Sequence, residues 1–186
     1  MLRAIDWKKE FSDKEKKIYI RPMTYGDVPD FVRWRNSEEV RKFYIYRGVF
    51  TVESQTAWMK ANIDTGRAAS MIVCEEENDR PIGCVYLQNI DKTHNKAEYG
   101  VLIGEEDARG HGYGARIAGL MLKFAFEELK LHRVYLRALE GNERAIKGYA
   151  DAGFEKEGFL KDDVFIDGEY RNVIWMAAVN RKKQER

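Results

Sequence analysis

The feature that most constrains this chain is a glycine-rich loop between a strand-like run and a long apolar run. The run from 98 to 103 reads Glu-Tyr-Gly-Val-Leu-Ile, and a few residues later comes Arg109-Gly-His-Gly-Tyr-Gly114. Apolar residues then recur at positions 117, 120, 121 and 124, the spacing of one helix face. Alternate glycines leave backbone N–H groups accessible, and a helix N-terminus directly behind them favours a phosphate. The stretch therefore predicts a strand, a phosphate-binding loop and a helix packed on a sheet.

Two familiar phosphate-binding loops do not match this one. A P-loop ends in Gly-Lys-Ser/Thr, whereas here Gly112-Tyr113-Gly114 leads into Ala115 and Arg116. A dinucleotide-binding fingerprint belongs to the first strand–helix–strand unit of a parallel sheet. Here roughly a hundred residues precede the loop, and they read as antiparallel strands. A tight connection that binds no ligand is the remaining alternative to a phosphate site.

Periodicity and turn signals divide the chain into short elements. Strands are expected at 17–21, 69–74, 81–89, 96–103, 133–139, 162–166 and 169–179, and helices near 28–34, 51–59, 114–129 and 143–151. Short turns indicate antiparallel neighbours, and Asp167-Gly168 is a strong hairpin signal. We predict a single α/β (α+β) domain, residues 1–186, with about seven strands in a mixed, mostly antiparallel central sheet flanked by about four helices. Residues 1–16 form an N-terminal extension, and 180–186 form a polar tail.

The charge balance argues against several classes of partner. Lys and Arg number 32 against 31 Asp and Glu, a net charge of +1, so no basic field points to nucleic acid. No apolar run approaches about 18 residues, and the first residues lack the apolar core of a signal peptide. We therefore expect a cytoplasmic protein without a membrane partner. Cys74 and Cys84 are expected to be reduced core residues, and no His, Cys and Asp cluster has metal-ligand spacing, so no metal is expected.

Two motifs resemble those of one enzyme family. The loop Arg109-x-x-Gly112-x-Gly114 resembles the Arg/Gln-x-x-Gly-x-Gly/Ala signature of the GNAT superfamily of acetyl-CoA-dependent N-acetyltransferases. A second motif resembles the second cofactor element of that family in order and spacing: Asn142-x-x-Ala145-x-x-x-Tyr149-x-x-x-Gly153-Phe154. The resemblance covers residues 17 to 179, and the order of the predicted elements agrees with the GNAT fold.

The resemblance implies acetyl-CoA as co-substrate and direct transfer of its acetyl group to a primary amine, of a small molecule or of a protein N-terminus. It assigns the coenzyme to Asn142 and to the loop residues Arg109, Gly110, His111, Gly112, Tyr113, Gly114 and Ala115. By their charge and position, Arg109, Arg116 and Arg144 are also placed to meet its phosphates, with a solvated helix arginine as the alternative. The resemblance also implies that strands 96–103 and 133–139 splay apart, and that the pantetheine arm pairs in the gap with Leu102, Ile103 and Gly104. A non-catalytic acyl-CoA sensor or interaction module is the alternative.

Acetyl transfer to an amine needs a proton acceptor, because only the free amine is nucleophilic. Glu98 lies on the strand that would carry the thioester. In its spacing ahead of the loop it resembles the strand glutamate that acts as general base in GNAT histone acetyltransferases. Other relatives have the base on the following strand, where this chain has Arg137. Glu140, an ordered water, or a merely solvated role for Glu98 stay open as alternatives.

The departing thiolate needs a proton or a hydrogen bond, and Tyr149 is the predicted donor. It follows Asn142 by seven positions, the offset at which relatives keep a tyrosine facing the thioester sulfur. Asn142, Ala145 and Tyr149 fall on one face of the predicted helix, at i, i+3 and i+7. An ordinary tyrosine of the core is the alternative.

The amine acceptor is the least constrained part of the prediction. The run Trp34-Arg35-Asn36, followed by Val40-Arg41, resembles that of the subgroup that acetylates ribosomal-protein N-termini, spermidine, aminoglycosides and amino-sugar nucleotides. Aromatic residues downstream either wall a substrate pocket or join the core: Phe43, Tyr44, Tyr46 and Trp58. Basic residues at 41, 42 and 47 favour an anionic acceptor, such as a nucleotide-linked amino sugar, over a free polyamine. The oligomeric state stays open, with a homodimer as one option.

Overall fold

The computed structural model describes residues 4–181, which form an eight-stranded sheet with helices on both faces. The strands are β1 (Ser12–Asp13), β2 (Ile18–Pro22), β3 (Ala69–Glu75), β4 (Pro81–Asp91), β5 (Lys96–Ile103), β6 (Arg133–Leu139), β7 (Glu155–Ile166) and β8 (Glu169–Val179). The helices are α1 (Trp7–Glu10), α2 (Val28–Asn36), α3 (Glu38–Arg41), α4 (Val52–Asn62), α5 (Tyr113–Glu127) and α6 (Glu143–Asp151). In space the strands lie in the order β1-β2-β3-β4-β5-β6-β8-β7.

A gap opens in the middle of this sheet. Neighbouring strands are antiparallel except β5 and β6, which run parallel. Only positions 96–98 of β5 pair with β6, at positions 133–135. Both strands continue for several residues beyond that point without pairing with each other, so they part and leave their facing edges open. The predicted splay between these two strands is confirmed.

Side chains alternate along β5 and build two cores, one on each face of the sheet. Tyr99 packs with Ile117 and Met121 in the core beneath α5 and α6. Leu102 packs with Trp34 and Met59 in the core beneath α2 and α4. The open edge of β5 is therefore the place where the two helical layers meet across the sheet.

The helix after the glycine loop is fixed by its packing. α5 begins at Tyr113 because Gly112, with φ of 75°, turns the chain from the loop into the helix. Its 15 residues bury Ile117, Met121 and Phe124, and each such side chain contributes about 1.5–3 kcal/mol of hydrophobic stabilisation. The N–H groups of its first turn are consequently held at a set position beside the gap.

The final hairpin forms where Asp167-Gly168 predicts it. Both residues have positive φ, 52° and 84°, as a two-residue type I′ turn requires. β7 begins at Glu155, however, and the prediction of a start near 162 is wrong. β7 is the edge strand of the sheet and its first residues are nearly all exposed. Such a segment shows no alternation of buried and exposed positions, so its sequence does not mark it as a strand.

Part of the N-terminal extension belongs to the core. Phe11 is fully buried and packs edge-to-face on Phe124, with 5.9 Å between the ring centroids. The additions to the predicted seven strands and four helices are β1, α1 and α3, which have two, four and four residues. Elements this short show no periodic pattern. Residues 182–186, most of the predicted polar tail, and residues 1–3 lie outside the described residues.

Candidate active site

A cavity of about 1060 Å³ occupies the gap between β5 and β6. One part of its wall is the glycine loop, residues 109–115, together with α6; we call this the loop end. The other part is formed by α2, α4 and residues 43–50, the aromatic loop; we call this the α2 end. Small-molecule sites usually measure about 300–1,000 Å³, so this cavity lies at the upper limit of that range.

The loop end has the features of a phosphate site. Gly110 and Gly112 have φ of 93° and 75°, a conformation that glycine adopts without strain. A Cβ on Gly110 would lie 3.8 Å from Nη2 of Arg144, and one on Gly112 would lie 4.0 Å from Nζ of Lys16. Backbone N–H groups and two cations from distant parts of the chain therefore meet at one place. These residues fit the pyrophosphate of acetyl-CoA.

Arg116, predicted near the coenzyme phosphates, is directed elsewhere. Its guanidinium forms ion pairs with Glu15 at 2.7 Å and with Asp13 at 3.7 Å. The Asp13 carboxylate in turn accepts a hydrogen bond from the backbone N–H of Lys16 at 2.8 Å. Arg116 thus holds the turn that carries Lys16 over the glycine loop.

The open edge of β5 is already contacted by two side chains. The Tyr44 hydroxyl donates to the Val101 carbonyl at 2.8 Å. Arg109 donates from Nε to the Ile103 carbonyl at 3.2 Å and from Nη2 to the Gly104 carbonyl at 2.7 Å. Arg109 therefore fixes the end of the strand relative to the glycine loop, while its guanidinium is engaged by carbonyl groups.

The other residues assigned to the coenzyme divide into two groups. Leu102, Ile103 and all residues of the glycine loop except His111 line the cavity. The His111 ring lies 2.9 Å from the Asp107 carbonyl through Nε2 and stacks on Tyr113. Gly104 lies outside the cavity wall, under the ring of Trp34, where a Cβ would come within 2.0 Å of Cγ. Packing of that indole accounts for the glycine at this position.

Glu98 is a buried carboxylate at the point where β5 and β6 part, with 7% of its surface exposed. Its Oε1 accepts from Arg137, at 2.9 Å from Nε and 2.8 Å from Nη2. Its Oε2 accepts from Nδ2 of Asn89 at 3.1 Å. Arg137, which stands where some relatives have the base, is thus the ion-pair partner of Glu98. Each carboxylate oxygen has two lone pairs, so Oε2 keeps one for the cavity.

Glu140, the alternative base, lies away from the cavity wall. Its carboxylate is exposed and accepts a hydrogen bond from Nδ2 of Asn172 at 2.7 Å. Its backbone N–H donates to the carbonyl of the same residue. These bonds tie Glu140 to β8, and it does not contact the space in which an acceptor would bind.

Tyr149 lines the cavity from α6, on the other face of the sheet from Leu102. Its ring packs edge-to-face on Tyr99, with 5.9 Å between centroids and 82° between planes. Burial raises the pKa of the Tyr149 phenol well above its ordinary value, so the hydroxyl keeps its proton at neutral pH, as a proton donor must. Asn142, at the N-cap of α6, also lines the cavity, and its side chain makes no capping bond.

The sequence left open whether four aromatic residues line a substrate pocket or belong to the core, and in the structure they line the cavity. Phe43 and Tyr46 are 50% and 64% exposed, while Tyr44 and Trp58 are half-buried. All four line the α2 end of the cavity. Exposed aromatic surface of this extent in a concave site is typical of ligand binding rather than of core packing.

Side chains hold the aromatic loop in place, because it contains neither helix nor strand. Asn36 exchanges two hydrogen bonds with the backbone of Phe50, at 2.8 and 2.9 Å. Arg41 donates from Nε and Nη2 to the Arg47 carbonyl, at 2.9 and 2.6 Å. Arg47 pairs with Asp167 at the tip of the β7–β8 hairpin. The aromatic loop and the β7–β8 hairpin are therefore joined by an ion pair.

Two further tyrosines at the gap have no role in the prediction from sequence. Tyr86 lies across β5 at Gly100, where a Cβ would come within 2.3 Å of its ring. The Tyr99 hydroxyl is buried, and nothing within positions 4–181 forms a hydrogen bond with it. A glycine inside a strand is a signal that another group approaches closely, but the sequence does not say which group.

Within residues 4–181 no group of His, Cys, Asp and Glu side chains has the arrangement of a metal site. No helix in that range is long and apolar enough to cross a membrane.

Comparison with known proteins agrees with this geometry. The model of the acetyltransferase (GNAT) domain family matches residues 17–155. A spermidine N(1)-acetyltransferase of Vibrio cholerae is 32% identical over 166 residues, which cover 89% of this chain and 95% of that protein. Its Escherichia coli K12 counterpart is 30% identical over 160 residues, covering 86% and 84%. The crystal structure of the Vibrio cholerae enzyme with CoA and spermine has the same fold, with a TM-score of 0.82 at 23% identity, covering 88% of this chain and 95% of that one.

A splayed mixed sheet, a glycine loop at a helix N-terminus and a two-ended cavity through the gap define a coenzyme A-dependent acyltransferase. The chain belongs to the GNAT acetyltransferase family. It is an N-acetyltransferase with acetyl-CoA as co-substrate and an amine as acceptor. The resemblance found in its two motifs is therefore confirmed.

Proposed function

We propose that this chain transfers the acetyl group of acetyl-CoA directly to the primary amine of a small molecule bound at the α2 end. The amine nitrogen forms a bond to the acetyl carbonyl carbon, and the carbon–sulfur bond breaks. One ammonium proton passes to Glu98, directly or through one water, and the nitrogen gives up a second proton to solvent after the attack. The coenzyme thiolate takes a proton from Tyr149. Exchange with solvent returns both side chains to their starting state. No covalent bond to the protein is needed.

One observation carries this proposal: Glu98 and Tyr149 reach the same cavity from the two sides of the sheet. Alternation along β5 puts Glu98 on the same face as Leu102, toward α2 and α4. Tyr149 comes from α6, on the opposite face. An acetyl group in the gap would consequently have the proton acceptor on its amine side and the proton donor on its sulfur side.

The test of the proposal is release of free coenzyme A thiol with a panel of amines, including a polyamine, amino sugars and a peptide with a free N-terminus. We expect release with at least one small amine and an acetylated product of the corresponding mass. Tight acetyl-CoA binding in calorimetry without thiol release from any amine would favour the alternative of a non-catalytic sensor. Turnover of the peptide alone would move the acceptor to a protein N-terminus.

The coenzyme pyrophosphate is proposed to lie on the backbone N–H groups of residues 110–115, between Lys16 and Arg144. The half-buried Lys16 side chain forms no ion pair within the described residues, and it lies close to Gly112. A lysine in this position is free to bind a phosphate oxygen. Asn142 and the open edge of β5 would then contact the pantetheine arm.

Lys16→Gln is expected to raise the acetyl-CoA dissociation constant by about 3- to 10-fold, the effect of one partly exposed charge-assisted hydrogen bond. Calorimetry at two salt concentrations measures it, and the difference from wild type should shrink at high salt. The control is Lys17→Gln, the same substitution at an exposed neighbour. Equal dissociation constants for the two variants would remove Lys16 from the coenzyme site.

We further propose a single domain that assembles as a homodimer through β7 and operates in the cytoplasm. β7 is a 12-residue edge strand, and Phe159 and Phe165 are 48% and 64% exposed. Open edges with apolar side chains favour pairing with a second copy. Light scattering should give twice the 21.7 kDa mass of one chain, and a monomer at micromolar concentration would contradict the dimer.

The proposed cytoplasmic location is supported by the cysteines. The buried free thiols of Cys74 and Cys84 suit a reducing compartment.

A further inference from the structure

The α2 end contains a buried arginine that has no acidic partner in the described part of the chain. Arg35 is 4% exposed and lines the cavity. Within residues 4–181 no carboxylate lies at ion-pair distance from it, although nearby Arg33 pairs with Asp30 and Glu105. Nη2 of Arg35 donates to the Tyr46 carbonyl at 3.2 Å, while Nη1 is buried and has no hydrogen-bond partner among the described residues. A buried guanidinium is rarely left unpaired, because desolvation of its charge is costly.

Aromatic rings hold the Arg35 guanidinium in one orientation. Its Cζ lies 3.6 Å from the centroid of the Tyr44 ring and 4.7 Å from that of Phe50. Such cation–π contacts offset part of the desolvation of the charge. They provide no hydrogen-bond acceptor, however, so the free N–H groups of Nη1 keep their need for one. The Arg35 guanidinium is therefore held ready to bind an anion, and the residues that the structure describes put no anion beside Nη1.

The other charged groups of the α2 end do not make it acidic. Glu98 is bound to Arg137 and Asn89. Glu39 is an exposed carboxylate on the same wall. Two cations, Arg35 and Arg137, thus balance two acids. A polyamine carries several ammonium groups and needs an excess of carboxylates, which this end does not offer.

We propose that Arg35 binds an oxyanion on the acceptor, so that the chain acetylates an amine that also carries a phosphate or a carboxylate. The inference rests on the proposed transfer at this cavity and names its substrate class. The planar fork of a guanidinium matches both kinds of oxyanion. The aromatic loop contains no regular structure, and the proposal requires that its side chains shift to admit an anion to Nη1. Its rings offer flat faces to a sugar or a base.

The experiment compares amines that share one ring and differ in charge: glucosamine, glucosamine 6-phosphate and muramic acid, with spermidine as the polycation. We expect kcat/KM to be about 10- to 100-fold higher for at least one anionic amine than for glucosamine. The phosphate and the carboxylate arms tell which oxyanion the site takes. Spermidine as the best substrate, or equal rates for the three ring amines, would overturn the inference and leave acetyl transfer itself intact.

Variants of Arg35 test whether this residue makes the discrimination. Arg35→Gln should abolish the preference for the anionic amine, and Arg35→Lys should keep part of it, because the charge stays while the fork is lost. The control is Arg41→Gln, which removes a cation that also holds the aromatic loop but does not line the cavity. A preference that survives in Arg35→Gln, or that disappears equally in Arg41→Gln, would show that Arg35 only holds the loop.

Binding separates failure of this inference from failure of the proposed function. Calorimetry with coenzyme A present measures glucosamine 6-phosphate and glucosamine on wild type and on Arg35→Gln. If no amine releases thiol, acetyl transfer is wrong. The oxyanion site then stands if the phosphate sugar binds wild type at least 10-fold more tightly than glucosamine and Arg35→Gln loses this difference. It falls if the two sugars bind alike.

Discussion

Glu98→Gln is expected to lower kcat/KM by about 10²- to 10⁴-fold near neutral pH, the usual contribution of a general base. The amide keeps the shape of the side chain. Its oxygen can accept from Arg137, and its new NH2 group can donate to Asn89 once that amide turns its oxygen toward it. The substituted side chain cannot accept the proton of an ammonium group. Glu98 is buried between Arg137 and Asn89, so the substituted side chain should stay in the same position. The loss would therefore report chemistry rather than displacement.

The pH profile distinguishes a base from a structural carboxylate. A primary alkyl ammonium has a pKa of about 10. Below that pH most of the amine substrate therefore carries the proton that must be removed. The deficit of Glu98→Gln should be largest below neutral pH and should shrink as pH rises toward the pKa of the amine. A structural role for Glu98 would lower the rate by the same factor at every pH.

Glu140→Gln is the matched control for this experiment. It is the same isosteric change at an exposed carboxylate that is bound to Asn172 outside the cavity wall. We expect kcat/KM to stay within about twofold of wild type, as for surface substitutions that remove no buried interaction. A pH-independent loss below threefold in Glu98→Gln, together with a large loss in Glu140→Gln, would transfer the base role to Glu140.

The parts of the fold and site that were predictable are those coded by adjacent residues. Three features each depend on fewer than about fifteen consecutive residues, and local patterns report such elements well. They are the glycine loop, the start of α6 directly after Asn142, and the hairpin turn at Asp167-Gly168. The splay of β5 and β6 followed from the family resemblance. β1 was missed because two residues show no periodic pattern. The first half of β7 was missed because an edge strand exposed on both faces carries no alternating pattern.

The partners of charged side chains could not be predicted, because they depend on residues far apart in sequence. Arg137 follows Glu98 by 39 positions and Arg116 follows Glu15 by 101. Neither separation has a sequence signature. In sequence Arg116 lies next to the phosphate loop, but its guanidinium forms an ion pair with Glu15 of the N-terminal segment. The same segment puts Lys16, instead of Arg116, beside the loop. Burial of a cation without a partner likewise becomes visible only in three dimensions.

Tyr149→Phe is expected to lower kcat by roughly 10- to 1000-fold, or about 1.4–4 kcal/mol of barrier. The substitution keeps the ring, and with it the edge-to-face packing on Tyr99, so the fold should be unchanged. It removes the hydroxyl that we propose as proton donor to the departing sulfur. Because burial raises the pKa of this phenol, the wild-type hydroxyl is protonated throughout the neutral range and the deficit should not vary there.

The loss should appear in kcat rather than in binding. A thioester sulfur is a weak hydrogen-bond acceptor, so acetyl-CoA should bind Tyr149→Phe within about threefold of wild type in calorimetry. The hydrogen bond strengthens only as negative charge builds on the sulfur, and an interaction made in the transition state alone changes kcat. If the dissociation constant rises and kcat is unaffected, Tyr149 is a binding residue and the donor lies elsewhere.

Tyr99→Phe supplies the matched control for Tyr149→Phe. It deletes the same hydroxyl from the neighbouring ring, and that hydroxyl is buried without a partner. Removing an unsatisfied buried group leaves no interaction broken, so stability should stay equal or increase. Its kcat should remain within about twofold of wild type, since no proton is proposed to pass through it. Equal losses in both variants would mean that the two hydroxyls act together, through a shared water, and that Tyr149 is not the sole donor.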